Sequence, residues 1–333
     1  MAERTALTQR AQIGIETTPG TAVAATKQLQ SLEVSVGPKL NVRMTRPAGY
    51  KVSTLAAPGK EWVEGRAQGQ MTYTEIVYLL ASVFTPVTPV QVNAPGGQAY
   101  RWTFAPSATS EQAFQTYTLE YGSPVRAHRM AHTVFTGLTL TFNRENCEVT
   151  APFMARALED PFTLTTSGVS ALALMPVLGT QVSFYVADTP AGLSNTANKL
   201  TRAFSAEFSI DGRYEPLWVV DAAQTSFVTV SEKPAAPKLK FTVEADAAGM
   251  ALLETARLGD TKFVRLEAIG RQIDASPPTP YRLTLDAAVK ITSMSDLKDE
   301  QAVVAVDYEC EVVYDAGWGK FLNIEVVNTL TAL

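Results

Sequence analysis

Twelve segments of this chain alternate apolar and polar residues with a period of two, and only two segments carry helical spacing. Period two sends successive side chains to opposite faces of a pleated strand, so such a chain must fold as sheets with one buried and one wet face. The alternating segments are Leu32 to Val36, Trp102 to Phe104, Tyr117 to Tyr121, Val134 to Phe142, Val182 to Val186 and Phe204 to Ile210. They continue with Phe227 to Val230, Leu239 to Val243, Phe263 to Ile269, Tyr281 to Ile291, Val303 to Val313 and Phe321 to Val327. Turn residues separate them, among them Ala94-Pro95-Gly96-Gly97 and Asp211-Gly212.

The two exceptions resemble each other. Thr74 to Phe84 places Ile76, Val77, Leu79, Leu80 and Val83 at helical spacing, with Thr72 and Glu75 as a capping box and Pro86 beyond the end. Ala247 to Leu258 has Asp246 as N-cap and Gly259 as its stop. Each helix follows a strand and precedes several more. After the first comes Tyr117-Thr118-Leu119-Glu120-Tyr121-Gly122, and after the second Val264-Arg265-Leu266-Glu267-Ala268-Ile269-Gly270. Both halves then reach a Cys-Glu-Val triplet, at Cys147 and at Cys310. These parallels predict an internal duplication across the 333 residues, a length that exceeds one ordinary domain.

Composition narrows the chemistry. Apolar residues at 46% and charged residues at 18% suffice for a core. Two histidines and two cysteines exclude a disulfide scaffold, a zinc ribbon and a multi-histidine metal centre. The net charge of −5 opposes any role that grips nucleic acid through its phosphates. The N-terminus lacks the order of a signal peptide, and the apolar stretch from Gly168 to Gly179 is short and interrupted by Pro176, so no membrane insertion is expected. Synthesis in the cytoplasm with reduced thiols is the corresponding expectation.

Catalytic constellations are not legible. His128 and His132 stand four apart with no carboxylate or thiol nearby to complete a ligand set, and no Gly-x-Ser-x-Gly elbow or phosphate-binding glycine loop occurs. Cys147 and Cys310 fall in alternating strands as small apolar residues. Asp307, Glu309 and Glu311 share one strand face, which must meet solvent, cations or a partner. Two stretches lack periodicity, Thr45 to Lys60 and Ser231 to Lys238, and long loops of this kind are functional or ordered by a partner. Residues 1–30 are too weakly apolar to fold alone and are expected to lie as an arm on a neighbour.

The segment Gln12-Ile13-Gly14-Ile15-Glu16-Thr17-Thr18-Pro19-Gly20-Thr21-Ala22-Val23-Ala24-Ala25 resembles the N-terminal signature of tail tube, or major tail, proteins of long-tailed, non-contractile bacteriophages. Gly65 to Glu75, Phe135 to Arg144 and the final strands from Phe321 to Leu330 are similar to the same family. The resemblance implies a mainly β fold of two tandem sandwich or barrel modules, residues 31–165 and 166–333, each with one short helix. It implies inner strands that join an intersubunit β-barrel, and rings that stack into a tube for DNA delivery, assembled in the host cytoplasm and resident in the virion tail. Partners would be further copies of the chain, the tape measure and terminator proteins, and DNA that passes without specific binding. No cofactor, metal or enzymatic activity is implied. Two modules per chain favour a trimer with pseudo-sixfold symmetry over a hexamer.

Under that resemblance the acidic balance acquires a use, because a channel that lets DNA slide must not hold it. Candidate lumen-facing carboxylates are Glu33, Glu61, Glu64, Glu207, Glu244, Asp246, Asp307, Glu309 and Glu311. The candidate inter-ring loop comprises Arg46, Pro47, Tyr50, Lys51, Leu55 and Pro58. The alternatives are a β-rich adhesin or receptor-binding protein of a phage or cell surface, and a β-sandwich hydrolase whose residues only the fold would assemble.

Overall fold

The computed structural model describes residues 8–221, 223–234 and 236–333. Among these the chain is mainly β with two α-helices. As far as residue 171 the elements are β1 (Arg10–Ile15), β2 (Lys27–Leu29), β3 (Leu32–Thr45), β4 (Leu55–Gln70), α1 (Ile76–Val83), β5 (Val90–Gln91), β6 (Tyr100–Phe104), β7 (Tyr117–Gly122), β8 (Ala127–Phe135), β9 (Leu138–Asn143), β10 (Cys147–Ala155), β11 (Leu158–Phe162) and β12 (Ser170–Ala171). Beyond it lie β13 (Val182–Ala187), β14 (Ala203–Ile210), β15 (Tyr214–Leu217), β16 (Thr229–Glu232), β17 (Lys238–Glu244), α2 (Ala247–Leu258), β18 (Lys262–Ala275), β19 (Pro278–Met294), β20 (Lys298–Glu300), β21 (Val303–Val312) and β22 (Leu322–Asn328).

Eight strands join edge to edge as an antiparallel wall in the order β3, β4, β10, β9, β14, β17, β21 and the last part of β19. Alternation gives the wall its two faces. Leu138, Leu140 and Phe142 of β9 are buried, as are Cys147, Val149, Ala151 and Phe153 of β10 and Ala206, Phe208 and Ile210 of β14. Each large apolar side chain so buried contributes about 1.5–3 kcal/mol. A slip of one residue would expose the whole set, so burial fixes the register. Among the described residues the wall does not close: β3 pairs only with β4, and Lys290 to Met294 of β19 pair only with β21.

Two further sheets share the same apolar core. One runs β11, β8, β7, β1, β2, with β12 parallel to β2. The other runs β13, β18, the first part of β19, β22, β6, β5. The β22–β6 ladder draws the C-terminal strand onto the first half of the chain, and Asn328 fastens it. Its fully buried amide accepts from Trp102 Nε1 at 3.0 Å and donates to the Tyr73 carbonyl at 2.8 Å.

Both helices form where their spacing predicts. All eight residues of α1 are buried, and it packs against β6, β8 and β9. Half of the expected capping box exists: the Glu75 N–H donates to Thr72 Oγ1 at 3.1 Å. The Glu75 carboxylate turns away to the Ser31 N–H and hydroxyl, so it ties the β2–β3 connection to the helix start. The second helix spans the predicted residues, with the Gly249 N–H donating to Asp246 Oδ1 at 2.8 Å and Gly259 closing it at φ 69°, where a side chain would be strained.

Two connections at one end of the wall differ in kind. Pairing of β4 with β10 stops at Val63, yet the β3–β4 ladder continues to Thr45 and Leu55, so a hairpin projects beyond the sheet. The connection between β14 and β17, which leaves the same end of the wall, folds back. There β15 and β16 pair with each other, and Tyr214 Oη donates to the Ser82 and Val83 carbonyls at the end of α1. Arg213 Nε reaches the Val83 carbonyl at 3.1 Å.

Three expectations change. The stretch Thr45 to Lys60 is a loop only from residue 46 to residue 54, and Leu55 and Pro58 belong to β4. Alternation is missing there because both faces of the projecting hairpin meet solvent, so backbone pairing proceeds without it. The Cys-Glu-Val triplets do not correspond: Cys147 starts β10 at the helix end of the wall, whereas Cys310 pairs with Leu239 near the opposite end. Within the expected N-terminal arm, Arg10–Ile15 is a strand inside the chain's own sheet, between β2 and β7, with Ile13 buried.

Candidate functional site: the polar face and free edges of the wall

The face of the wall opposite the core is polar from one side to the other. One cross-strand row reads Gln70, Glu148, Thr141, Glu207, Lys240, Glu309 and Ser293, each directly opposite the next. Glu33 stands opposite Gln68 and Asp307 opposite Thr242, while Glu311 faces Lys238 on one side and Lys290 on the other. Directly opposed residues share a face, so the ladder gathers Glu33, Glu64, Glu207, Glu244, Asp307, Glu309 and Glu311 onto one surface. Seven of the nine candidate carboxylates are therefore brought together.

The other two are not. Asp246 caps α2 through Gly249, and Glu61 lies at the root of the hairpin, where its N–H donates to the Thr225 carbonyl at 3.0 Å. Sequence reading missed Glu148, which points outward between buried Cys147 and Val149. The alternation of Cys147 to Ala155 carried that signal. It also missed the cations of the same face, Arg66, Lys238, Lys240 and Lys290.

Carboxylates outnumber cations on this face, and four of the eight are ion-paired, among them Glu244 at 2.6 Å from Arg202. Lys240 lies 3.4 Å from Glu309, Lys39 lies 3.6 Å from Glu64, and Lys298 lies 2.8 Å from Asp307. Partial burial raises the Asp307 pKa, but hydrogen bonds from Lys298 and Thr242 and the charges of Lys298 and Lys240 outweigh it and hold the carboxyl below its usual value. Among the described residues no cation pairs with Glu33, Glu207 or Glu311. A surface of this kind repels polyanions and collects mobile cations.

The projecting hairpin is the second feature. Every residue from Pro38 to Lys60 is exposed except the half-buried Ala57, and the exposed set includes Leu40, Val42, Met44, Tyr50, Val52 and Leu55. Arg46, Pro47, Tyr50 and Lys51 form its turn. Lys60 sits over the ring of Trp218 at 4.5 Å, which braces the root against the β15–β16 connection.

His132 and both thiols are buried. His132 is fully buried at φ 53°, edge-on to Phe227, and neither ring nitrogen has a hydrogen-bond partner. Burial, with Arg156 nearby, pushes its pKa down to about 4. His128 Nδ1 lies 3.3 Å from Asp160. Burial pushes the Cys147 thiol up to about 11 and Cys310 up to about 12. Among the described residues no three His, Cys, Asp or Glu side chains gather as a metal site, and no helix is long and apolar enough to cross a membrane. Compared with protein-family models the chain matches none, and no curated protein matches it.

Proposed function

We propose that this chain is a structural subunit of a phage tail tube, with two tandem tube modules whose walls join those of neighbouring copies into a closed β-barrel for DNA delivery. The observation that carries the reading is the β9–β14 junction. Residues 138–143 of the first half pair along their full length with residues 205–210 of the second half, so one wall already continues into another inside a single chain. The pairing order supports a duplication. In the first half β3, β4, β10 and β9 join in sequence, with β8, β7 and β1 following outward from β10. In the second half β14, β17, β21 and β19 join likewise, followed by β18 and β13. A helix follows β4 and β17 alike.

The free edges complete the argument. The end of β19 occupies in the second half the place that β9 occupies in the first, and β3 occupies the place of β14. An open edge at each side of a long wall invites pairing with another chain, and closure into a ring removes both edges. Three chains of eight wall strands would give six modules, a trimer with pseudo-sixfold symmetry. The carboxylate face would line the channel, and the protein would act as a wall rather than as an enzyme, with the tape measure and terminator proteins as further partners in the virion tail. Electron microscopy of the purified chain at rising concentration tests the reading. Rings averaging as three chains with six similar modules are expected; a protein that stays monomeric at all concentrations, or rings with six chains, would overturn the assembly or the duplication respectively.

A further inference from the structure

Among the described residues β15 and β16 pair with each other and with no other strand, so single hydrogen bonds and side chains must hold them to the body. One guanidinium fastens the approach to β16. Arg156, in the β10–β11 connection, donates from Nε to the Phe227 carbonyl at 3.0 Å and from Nη2 to the Val228 carbonyl, and its Nη1 reaches the Gly20 carbonyl at 3.4 Å. Gly20 stands at φ 81°, and a Cβ there would strike the guanidinium, so the β1–β2 connection is shaped to admit it. No carboxylate pairs with Arg156 among the described residues.

The Phe227 ring closes over His132, with ring centroids 5.3 Å apart. Both His132 nitrogens are buried without a partner, and so is the hydroxyl of Ser226 beside Phe227. The charged groups facing His132 are Arg156, whose N–H donates to the Ala131 carbonyl at 3.1 Å, and Glu16 of the β1–β2 connection. Glu16 Oε1 accepts the His132 backbone N–H at 2.8 Å and the Thr118 hydroxyl at 2.9 Å, and Oε2 accepts the Gly20 N–H at 2.7 Å, so neither oxygen serves the ring. On β7, Glu120 is turned to Ala25 and Thr165; on β8 itself, His128 and Arg129 meet Asp160 and Glu159. Thr225 to Val228 carry no titratable side chain. A proton on this imidazole would put a second buried cation beside Arg156, with no acceptor for its N–H groups. Burial first, and the Arg156 charge second, hold the His132 pKa down to about 4.

The same segment braces the projecting hairpin. The Thr225 carbonyl accepts from the Glu61 N–H at 3.0 Å, and Trp218 lies edge-on to Phe227 and to Trp62. We propose that Thr225–Val228 is an acid-released strap, which closes over neutral His132 and, when that imidazole takes a proton, lets go of Arg156 and unbraces the root of the β3–β4 hairpin. Opening carries the ring into water, where it regains the ordinary histidine value of about 6.5. The open form then binds more protons, so the closed-to-open ratio falls as pH drops below about 6.5 and levels off below about 4. The device operates in a free monomer and stands apart from the ring reading.

Hydrogen exchange of the full chain at pH 7 and pH 5, corrected for the intrinsic rate, tests this at the Glu61 amide, with the α1 amides as reference. In wild type Glu61 is expected to exchange roughly twentyfold faster at pH 5 than at pH 7, with α1 more protected than Glu61 at both. His132→Asn, which takes no proton there, should keep its pH 7 rate at pH 5. Arg156→Met, which frees the Phe227 and Val228 carbonyls, should exchange fast already at pH 7. A wild-type Glu61 rate indifferent to pH, a His132→Asn chain that accelerates as wild type does, or an Arg156→Met chain as slow as wild type at pH 7 overturns the strap. So does exchange of Glu61 and α1 at one common rate at pH 5, since that opening would be unfolding of the whole chain.

Discussion

Glu207, in the second half of the chain, lies directly opposite Thr141 of the first half across the β9–β14 ladder. This pair marks where the wall strands of the first half meet those of the second half, and backbone hydrogen bonds rather than side-chain chemistry hold it. A seam of that kind can recur between chains wherever the two free edges meet.

Proline at a free edge should therefore weaken assembly and spare the fold. Thr292 is exposed at a bulge in β19, outside the β18 ladder. Thr292→Pro fixes the backbone beside the edge and weakens its pairing with a second strand, at about 1 kcal/mol for a lost bond. Since about 1.4 kcal/mol is tenfold in affinity, a loss of about 1 kcal/mol means that ring formation should need roughly fivefold more protein, while the monomer's melting temperature shifts by a few degrees at most. Analytical ultracentrifugation across a concentration series reads this directly.

Reversing the unpaired carboxylates should turn the wall adhesive. E33K/E207K/E311K leaves the buried face untouched, so assembly should persist. Each new cation that neutralises a phosphate adds about 0.9 to the slope of log affinity against log salt. Electrophoretic retention of DNA by assembled tubes, steeply weakened by salt, is expected for the variant and absent for wild type; equal behaviour would remove the channel reading of this face.

Below neutral pH His132 should cost stability. In the unfolded chain its pKa is about 6.5, and in the fold about 4. Between those values the unfolded state binds more protons, so stability falls as pH drops through the window and the loss levels off below pH 4. The loss amounts to about 3 kcal/mol. Denaturant unfolding at pH 7, 5.5 and 4.5 measures it, and His132→Asn, which tolerates the positive φ, should flatten this part of the profile.

Asn328→Leu should destabilise by about 2–4 kcal/mol, since it leaves the Trp102 indole N–H and the Tyr73 carbonyl buried without partners. Asn328→Asp buries an unpaired carboxylate against the Tyr73 carbonyl, so at neutral pH it should destabilise at least as much, and it should recover at low pH, where the protonated acid can donate to Tyr73 again. Melting curves rank the three proteins.

The thiols should be silent in the native state. With both cysteines buried and their pKa values raised, Cys147 and Cys310 should resist alkylation at pH 8 and react fully in denaturant. Rapid labelling of either one in the folded chain would contradict its placement.

Legibility in the sequence followed burial. Where one face of a strand is buried, as from Phe204 to Ile210 and from Val303 to Val312, alternation marked the strand closely. Where both faces are wet, as from Val42 to Thr45, the ladder left no periodic trace and the strand read as loop. Arg10 to Ile15 escaped for the opposite reason: four of its six residues are buried in succession, so alternation vanished. Seven of the chosen carboxylates fell on one face because alternation encodes facing, but strand order comes from contacts between distant residues and was beyond reach of a local pattern.

In the ring proposed for this chain, the two unequal connections would give the assembly an angular memory. In a ring of three such chains every module contributes alike to the inner wall, yet only the β3–β4 connection of each chain stands out, while the β14–β17 connection is pinned to α1 by Tyr214 and Arg213. A ring would thus carry three teeth rather than six, and the next ring could seat at three azimuths instead of six. Were rings to stack through those teeth, torque applied at one end would pass along the tube as a turn of the whole.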